Sequence, residues 1–116
     1  MINRAAIILK YKAPAILWIN EADPHNEDPG ISAEEVNSDS PVYLISDEDA
    51  DTPETVEHWI KLNHKIVFEN ELEGWYTDPS LWPKKRTLKI FKEWFNIECH
   101  TMLIDTVGGP ICDDDI

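Results

Sequence analysis

Between Thr52 and Trp75 the apolar side chains Val56, Ile60, Val67, Phe68, Leu72 and Trp75, with His64 in line, recur in steps of three and four residues. That spacing gathers them on one side of a helix and leaves the intervening charges on the other. The ends are marked too. Thr52 offers an N-cap oxygen, Pro53 suits the first helical position, Glu54 lies where the helix dipole favours an anion, and Gly74 suits the exit. A long amphipathic helix draws its stability from packing its apolar face, so the rest of the chain must supply a surface for it.

Strand-length apolar runs supply it. Residues 5–11, AAIILKY, read as a buried strand, 42–46, VYLIS, as a second short apolar strand, and 98–107, ECHTMLIDTV, as a third. Pro14 can open a helix after the first run, with Trp18 sharing a face with Pro14 and Ala22. Pro24, Pro29, Gly30 and Pro41 punctuate a long loop, inside which Ser32 can cap one helical turn over Ala33 to Val36. Asp78 and Pro79 can start another turn, and TLKIFKEWFN again has helical spacing, with Leu88, Phe91 and Phe95 on one line and Ile90 and Trp94 beside it.

The expected order is β-α-β-α-α-β, an α/β (or α+β) fold with a small three-stranded sheet covered by helices. Residues 1–107 form one globular domain and 108–116 an acidic C-terminal tail. The opening β-α-β favours a parallel first pair joined by a right-handed crossover. Two-layer and three-layer arrangements both fit.

At 116 residues and 42% hydrophobic content the chain can build one core despite a net charge of −13. No apolar run approaches the ~20 residues of a membrane-spanning helix. Arg4 precedes an apolar stretch, but Lys10 and Lys12 interrupt it and no small-residue cleavage site follows, so a cytoplasmic protein is expected. Cys99 and Cys112 do not make a disulfide framework and are expected reduced.

The charge is unevenly placed. From Ala13 to Ile60 there is no Lys or Arg, while thirteen Asp and Glu fall in that window. Such a chain repels nucleic acid and anionic lipid over most of its surface, so no direct nucleic acid binding and no membrane association are expected. The complementary partner is a basic protein or a cation.

The acidic turn Asp47, Glu48, Asp49 and Asp51 follows the second strand directly, where open α/β sheets place ligands. Its spacing departs from a calcium loop, with Thr52 at the sixth position where glycine is needed and His58 at the twelfth where glutamate is. A looser magnesium or manganese site built from Asp47, Asp49 and Asp105 is the alternative, because hard cations favour oxygen ligands. The commoner role of such a turn is a solvated loop leading a helix. His58 and His64 lie six apart, unlike a zinc pair, and Cys99 and His100, adjacent on a strand, point to opposite faces. Lys84, Lys85, Arg86, Lys89 and Lys92 read as the solvated face of the last helix.

Residues 71–83, ELEGWYTDPSLWP, hold two of the five tryptophans in a bend. Trp75 and Trp82 are placed to fold inward and lock the helix–helix corner, each indole N–H finding a carbonyl. The other role for Trp82 is an exposed anchor for a protein partner.

The succession Trp75, Tyr76, Asp78, Trp82, Pro83, Phe91, Trp94 and Phe95, set between VYLISDEDADTPE and FKEWFNIECHTMLID, resembles a family of small, conserved but uncharacterised bacterial proteins. The resemblance runs from about Ala5 to Asp105. It implies a bacterial, cytoplasmic setting and carries no activity, cofactor or site residue with it.

The reading that follows is a non-enzymatic, acidic interaction module without a cofactor, recognising a basic partner through Asp47, Glu48, Asp49 and Asp51, flanked by Glu34 and Glu35, with Trp82 as apolar anchor. The alternative is a hydrolase dependent on divalent metal, with carboxylate ligands at the strand ends.

Overall fold

In a computed structural model, which describes residues 1–25 and 30–113, β1 (Arg4–Tyr11) leads into α1 (Ala13–Glu21) and the short α2 (Ala33–Ser38). Then come β2 (Val42–Ser46), the long α3 (Pro53–Trp75), a 3-10 turn (Pro79–Leu81), α4 (Leu88–Trp94) and β3 (Phe95–His100). Pro29, expected in the loop, and residues 114–116 of the expected tail lie outside the described residues. The mixed α/β class and the three-stranded sheet are as expected, and α2 extends the single turn expected over Ala33 to Val36 to a helix of six residues.

The capping chemistry explains the boundaries. Thr52 Oγ1 accepts from Thr55 N at 3.1 Å while Thr55 Oγ1 accepts from Thr52 N at 3.0 Å, a reciprocal cap that starts α3 at Pro53. Ser32 accepts from Glu35 N, Thr87 from Ile90 N, and Asp78 from Ser80 N. Gly74 does not form the exit. It remains helical, and α3 ends one residue later where Tyr76 turns extended.

The sheet order is β2-β1-β3, and both pairings are antiparallel. The parallel β1–β2 pair is therefore corrected. Helix α1 starts two residues after β1 and packs on α4, with Trp18 and Trp94 rings 5.6 Å apart, so it stays at the end of the sheet. Asn37 of α2 is tied to that same end: its Oδ1 accepts from Tyr11 N at 2.8 Å and its Nδ2 donates to Tyr11 O at 3.3 Å. The chain leaves α2 beside the C-terminal end of β1 and can only return alongside it in the opposite direction. No crossover occurs, so the handedness rule for parallel strands has nothing to act on.

The third strand is also displaced. It begins at Phe95 and ends at His100, so Asp105 lies beyond it in a largely exposed segment joined to the N-terminus by one bond, Ile2 N to Leu103 O at 2.9 Å. Phe95 does occupy the inner line expected of it, but as the first residue of a strand. It is 3% exposed, with its ring 4.9 Å from Tyr11 and 5.1 Å from Phe91.

Register divides the sheet into two faces. Ala5, Ile7, Leu9, Tyr11, Ile45 and Phe95 are buried toward the helices, with Tyr43, Ile97 and Cys99 packed at the margin. The opposite face carries Arg4, Lys10, Asn96, Glu98 and His100 around Ala6 and Ile8, with Val42 and Leu44 about half exposed on the edge strand β2. Helices cover one face, giving two layers. Phe68 of α3, fully buried, seals the centre with its ring 5.8 Å from Phe91 and 5.5 Å from Phe95.

Candidate functional site

Antiparallel pairing of both outer strands to β1 makes β2 and β3 run the same way. The acidic turn and the segment after β3 consequently emerge at the same end of the sheet, on opposite sides of β1. The turn is internally braced: Asp47 O accepts from Ala50 N at 3.2 Å, and Ser46 Oγ donates to Asp49 Oδ2 at 2.9 Å. Asp47, Glu48 and Asp51 are exposed, Asp49 is half-buried, and Ala50 tucks into the core. Asp105 accepts from Val107 N at 2.8 Å. Among the described residues no three His, Cys, Asp or Glu side chains are grouped to hold a metal ion, so Asp47, Asp49 and Asp105 are not brought together as one ligand set.

Ion pairing leaves the acidic half alone. Among the described residues the pairs are Arg86 with Glu69 at 3.4 Å, Lys92 with Glu57, and His100 with Glu98 at 3.4 Å. Lys92 of α4 and Arg86 of the segment before it are thus each tied to α3, and none of the described carboxylates from Glu21 to Glu54 enters an ion pair.

The aromatic bend closes a corner. Trp82 Nε1 donates to Tyr76 O at 2.7 Å, Trp18 Nε1 donates to Leu81 O at 2.9 Å, and Tyr76 Oη donates to Ile19 O. The Trp18 and Tyr76 rings meet edge to face at 5.2 Å, and the Arg86 guanidinium lies 5.9 Å from the Trp82 ring. Trp82 is a half-buried part of this lock, tying α1 to the α3–α4 connection, and so presents only part of its ring outward.

Trp75 turns to a different task. Its Nε1–H donates to Tyr11 Oη at 3.0 Å, and Tyr11 Oη in turn donates to Glu71 Oε1 at 2.9 Å. From the other side Asn70 Nδ2 donates to Tyr43 Oη at 2.8 Å, and Tyr43 Oη donates to Glu71 Oε2 at 2.6 Å. Glu71 is 3% exposed. Burial pushes its carboxyl above the ordinary range, with the two tyrosine bonds pulling back. Burial, reinforced by Glu71, also drives both tyrosine hydroxyls far above their ordinary value. This site was missed in the sequence, although a signal existed: Val67, Glu71 and Trp75 form one four-residue line on the inner face of α3.

Between the start of α3 and β3 lies a shallow groove of about 410 Å³, lined by Asp51, Thr52, Val56, Ile60, Ile97 and Cys99. Burial raises the Cys99 thiol, which disfavours the nucleophilic thiolate. Among the described residues no helix is long and apolar enough to cross a membrane. No protein-family model, curated protein or solved structure matches the chain.

Proposed function

We propose that this chain is a non-enzymatic interaction module of the bacterial cytoplasm that recognises a basic protein through its acidic half. The bacterial setting rests on the family resemblance of its aromatic succession. The observation that carries the reading is the unpaired state of the described carboxylates from Glu21 to Glu54, which leaves their field to be neutralised from outside. Asp47, Glu48 and Asp51 form the exposed part of the recognition turn, with Asp49 bracing it. Val42 and Leu44, about half exposed on the preceding edge strand, add apolar contact area beside the charges. Complementary charge of this kind steers encounter and selects the partner more than it supplies affinity. The metal-dependent hydrolase reading gains no observation in its favour from the arrangement of Asp47, Asp49 and Asp105.

The test compares wild type with a variant carrying Asp47→Asn, Glu48→Gln, Asp49→Asn and Asp51→Asn as baits in native lysate, at low and moderate salt. A basic protein held by wild type in a salt-sensitive manner and lost by the variant supports the reading. Equal retention by both baits, or no salt-sensitive partner, sinks it.

A further inference from the structure

A half-open cavity of about 170 Å³ lies between the C-terminal turns of α3 and the approach to β2, lined by Tyr11, Asp39, Asn70, Glu71 and Trp75 among others. The hydrogen-bond directions around it define a charge. An indole N–H can only donate, so Tyr11 Oη accepts from Trp75 and directs its own proton to Glu71. The Asn70 amide imposes the same direction on Tyr43. Both Glu71 oxygens are therefore acceptors, the pattern that suits a carboxylate. Yet no ion pair among the described residues reaches Glu71. The two basic residues flanking Tyr11 are engaged elsewhere: Lys10, on the other sheet face, donates toward Asn37 O at 3.5 Å, and Lys12 Nζ donates to Lys92 O at 3.1 Å. An anion almost wholly removed from water, with hydrogen bonds but no countercharge, borders a cavity whose other charged wall, Asp39, is also acidic.

We infer that this cavity binds an organic cation, an alkylammonium or guanidinium group, between Glu71 and Asp39 and against the Tyr11 and Trp75 rings. At ~30 Å³ for each water-sized position, the volume holds about five or six heavy atoms, the size of a butylammonium or ethylguanidinium ion. Desolvation strengthens the attraction to Glu71, and aromatic walls favour a cation over a neutral group of the same shape. The cavity lies at the entry to β2 and the acidic turn at its exit, about 17 Å apart along a five-residue strand. The inference therefore stands independently of the turn's partner. The cation can come from a free amine or from a lysine or arginine side chain of a protein.

The experiment follows the Trp75 indole and Asn70 amide NMR signals of the full chain during titration with butylammonium and ethylguanidinium chloride, beside sodium chloride at equal ionic strength and 1-butanol. Saturable shifts with the organic cations alone are expected. Glu71→Gln should weaken affinity by at least about tenfold. Asp39→Asn, at an exposed position that leaves the core untouched, should weaken it by about two- to fivefold. The variant neutralised at positions 47, 48, 49 and 51 should bind as wild type does, which separates this site from the turn. Capped Ala-Lys-Ala and Ala-Arg-Ala peptides complete the series: binding of either assigns a protein side chain, and binding of the free cations alone assigns a small amine. No saturable shift, an equal response to 1-butanol, or unchanged affinity in both Glu71→Gln and Asp39→Asn overturns the inference.

Discussion

The two ends of β2 hold carboxylates in opposite circumstances. After Ser46, Asp47, Glu48 and Asp51 stand in water, braced by a turn and paired with no cation among the described residues. Before Val42, across the strand from Tyr43, Glu71 is enclosed and held by two hydroxyls whose own oxygens are occupied by Trp75 and Asn70. Water screens the first group and makes each charge nearly independent of the fold. The second group has lost that screening, so its hydrogen bonds decide whether the charge is tolerated. One element of structure thus separates carboxylates available to a partner from a carboxylate bound into the architecture.

Replacing Glu71 gives the largest expected effect. Glu71→Ala leaves two tyrosine hydroxyls without acceptors and opens a void, and should lower unfolding free energy by about 2–4 kcal/mol in urea denaturation. A loss under about 0.5 kcal/mol would erase the contrast with the turn. Next comes Tyr11→Phe, which strands the Trp75 indole N–H and frees Glu71 Oε1, at about 1–3 kcal/mol by the same measurement.

Alkaline titration sharpens the comparison without mutation. The folded tyrosine values lie above the ordinary 10.0, so the unfolded chain releases those protons first. Stability is full below pH 10 and should fall as pH rises above it, with Tyr11 alone contributing a slope of about 1.4 kcal/mol per pH unit. Half-buried Tyr43 adds less, and Tyr11→Phe should flatten the decline. At the acid side the sign is the same: the Glu71 value is raised from 4.5, so its contribution is full below that pH and diminishes as pH rises through the folded value. Glu71→Gln should remove that component from a thermal-unfolding series across the acid range.

The smallest effect belongs to the turn. Neutralising positions 47, 48, 49 and 51 together should leave stability within about 0.5 kcal/mol at moderate salt, since three of the four side chains are exposed and unpaired. A larger loss would place the turn's charges in the folding free energy and dissolve the distinction.

Local periodicity and capping were legible for α3, α2, the 3-10 turn and β2, because each depends on neighbours a few residues away. For Trp75 and Trp82 the bend favoured an inward role but left an exposed Trp82 open; both indoles are half-buried against the core. The acidic turn was visible as composition, and its exposure followed. Glu71 was not, because a glutamate on the inner line of a helix looks like an error of phase until Tyr11 and Tyr43, sixty and twenty-eight residues away, are seen to meet it.

By itself the chain determined the existence and order of its secondary elements, most of their inner faces, and the confinement of its basic residues to a few segments. Those are consequences of side-chain volume, hydrophobic spacing and local hydrogen bonding. Tertiary structure decided the antiparallel return of β2, the early start of β3 at Phe95, and the meeting of one carboxylate with two hydroxyls. Each of these depends on where a helix docks: α1 and α2 kept the chain at one end of the sheet, and α3 laid Glu71 over Tyr11 and Tyr43. Contacts between residues distant in sequence carry no local signature, and they alone select among the arrangements that local preferences allow.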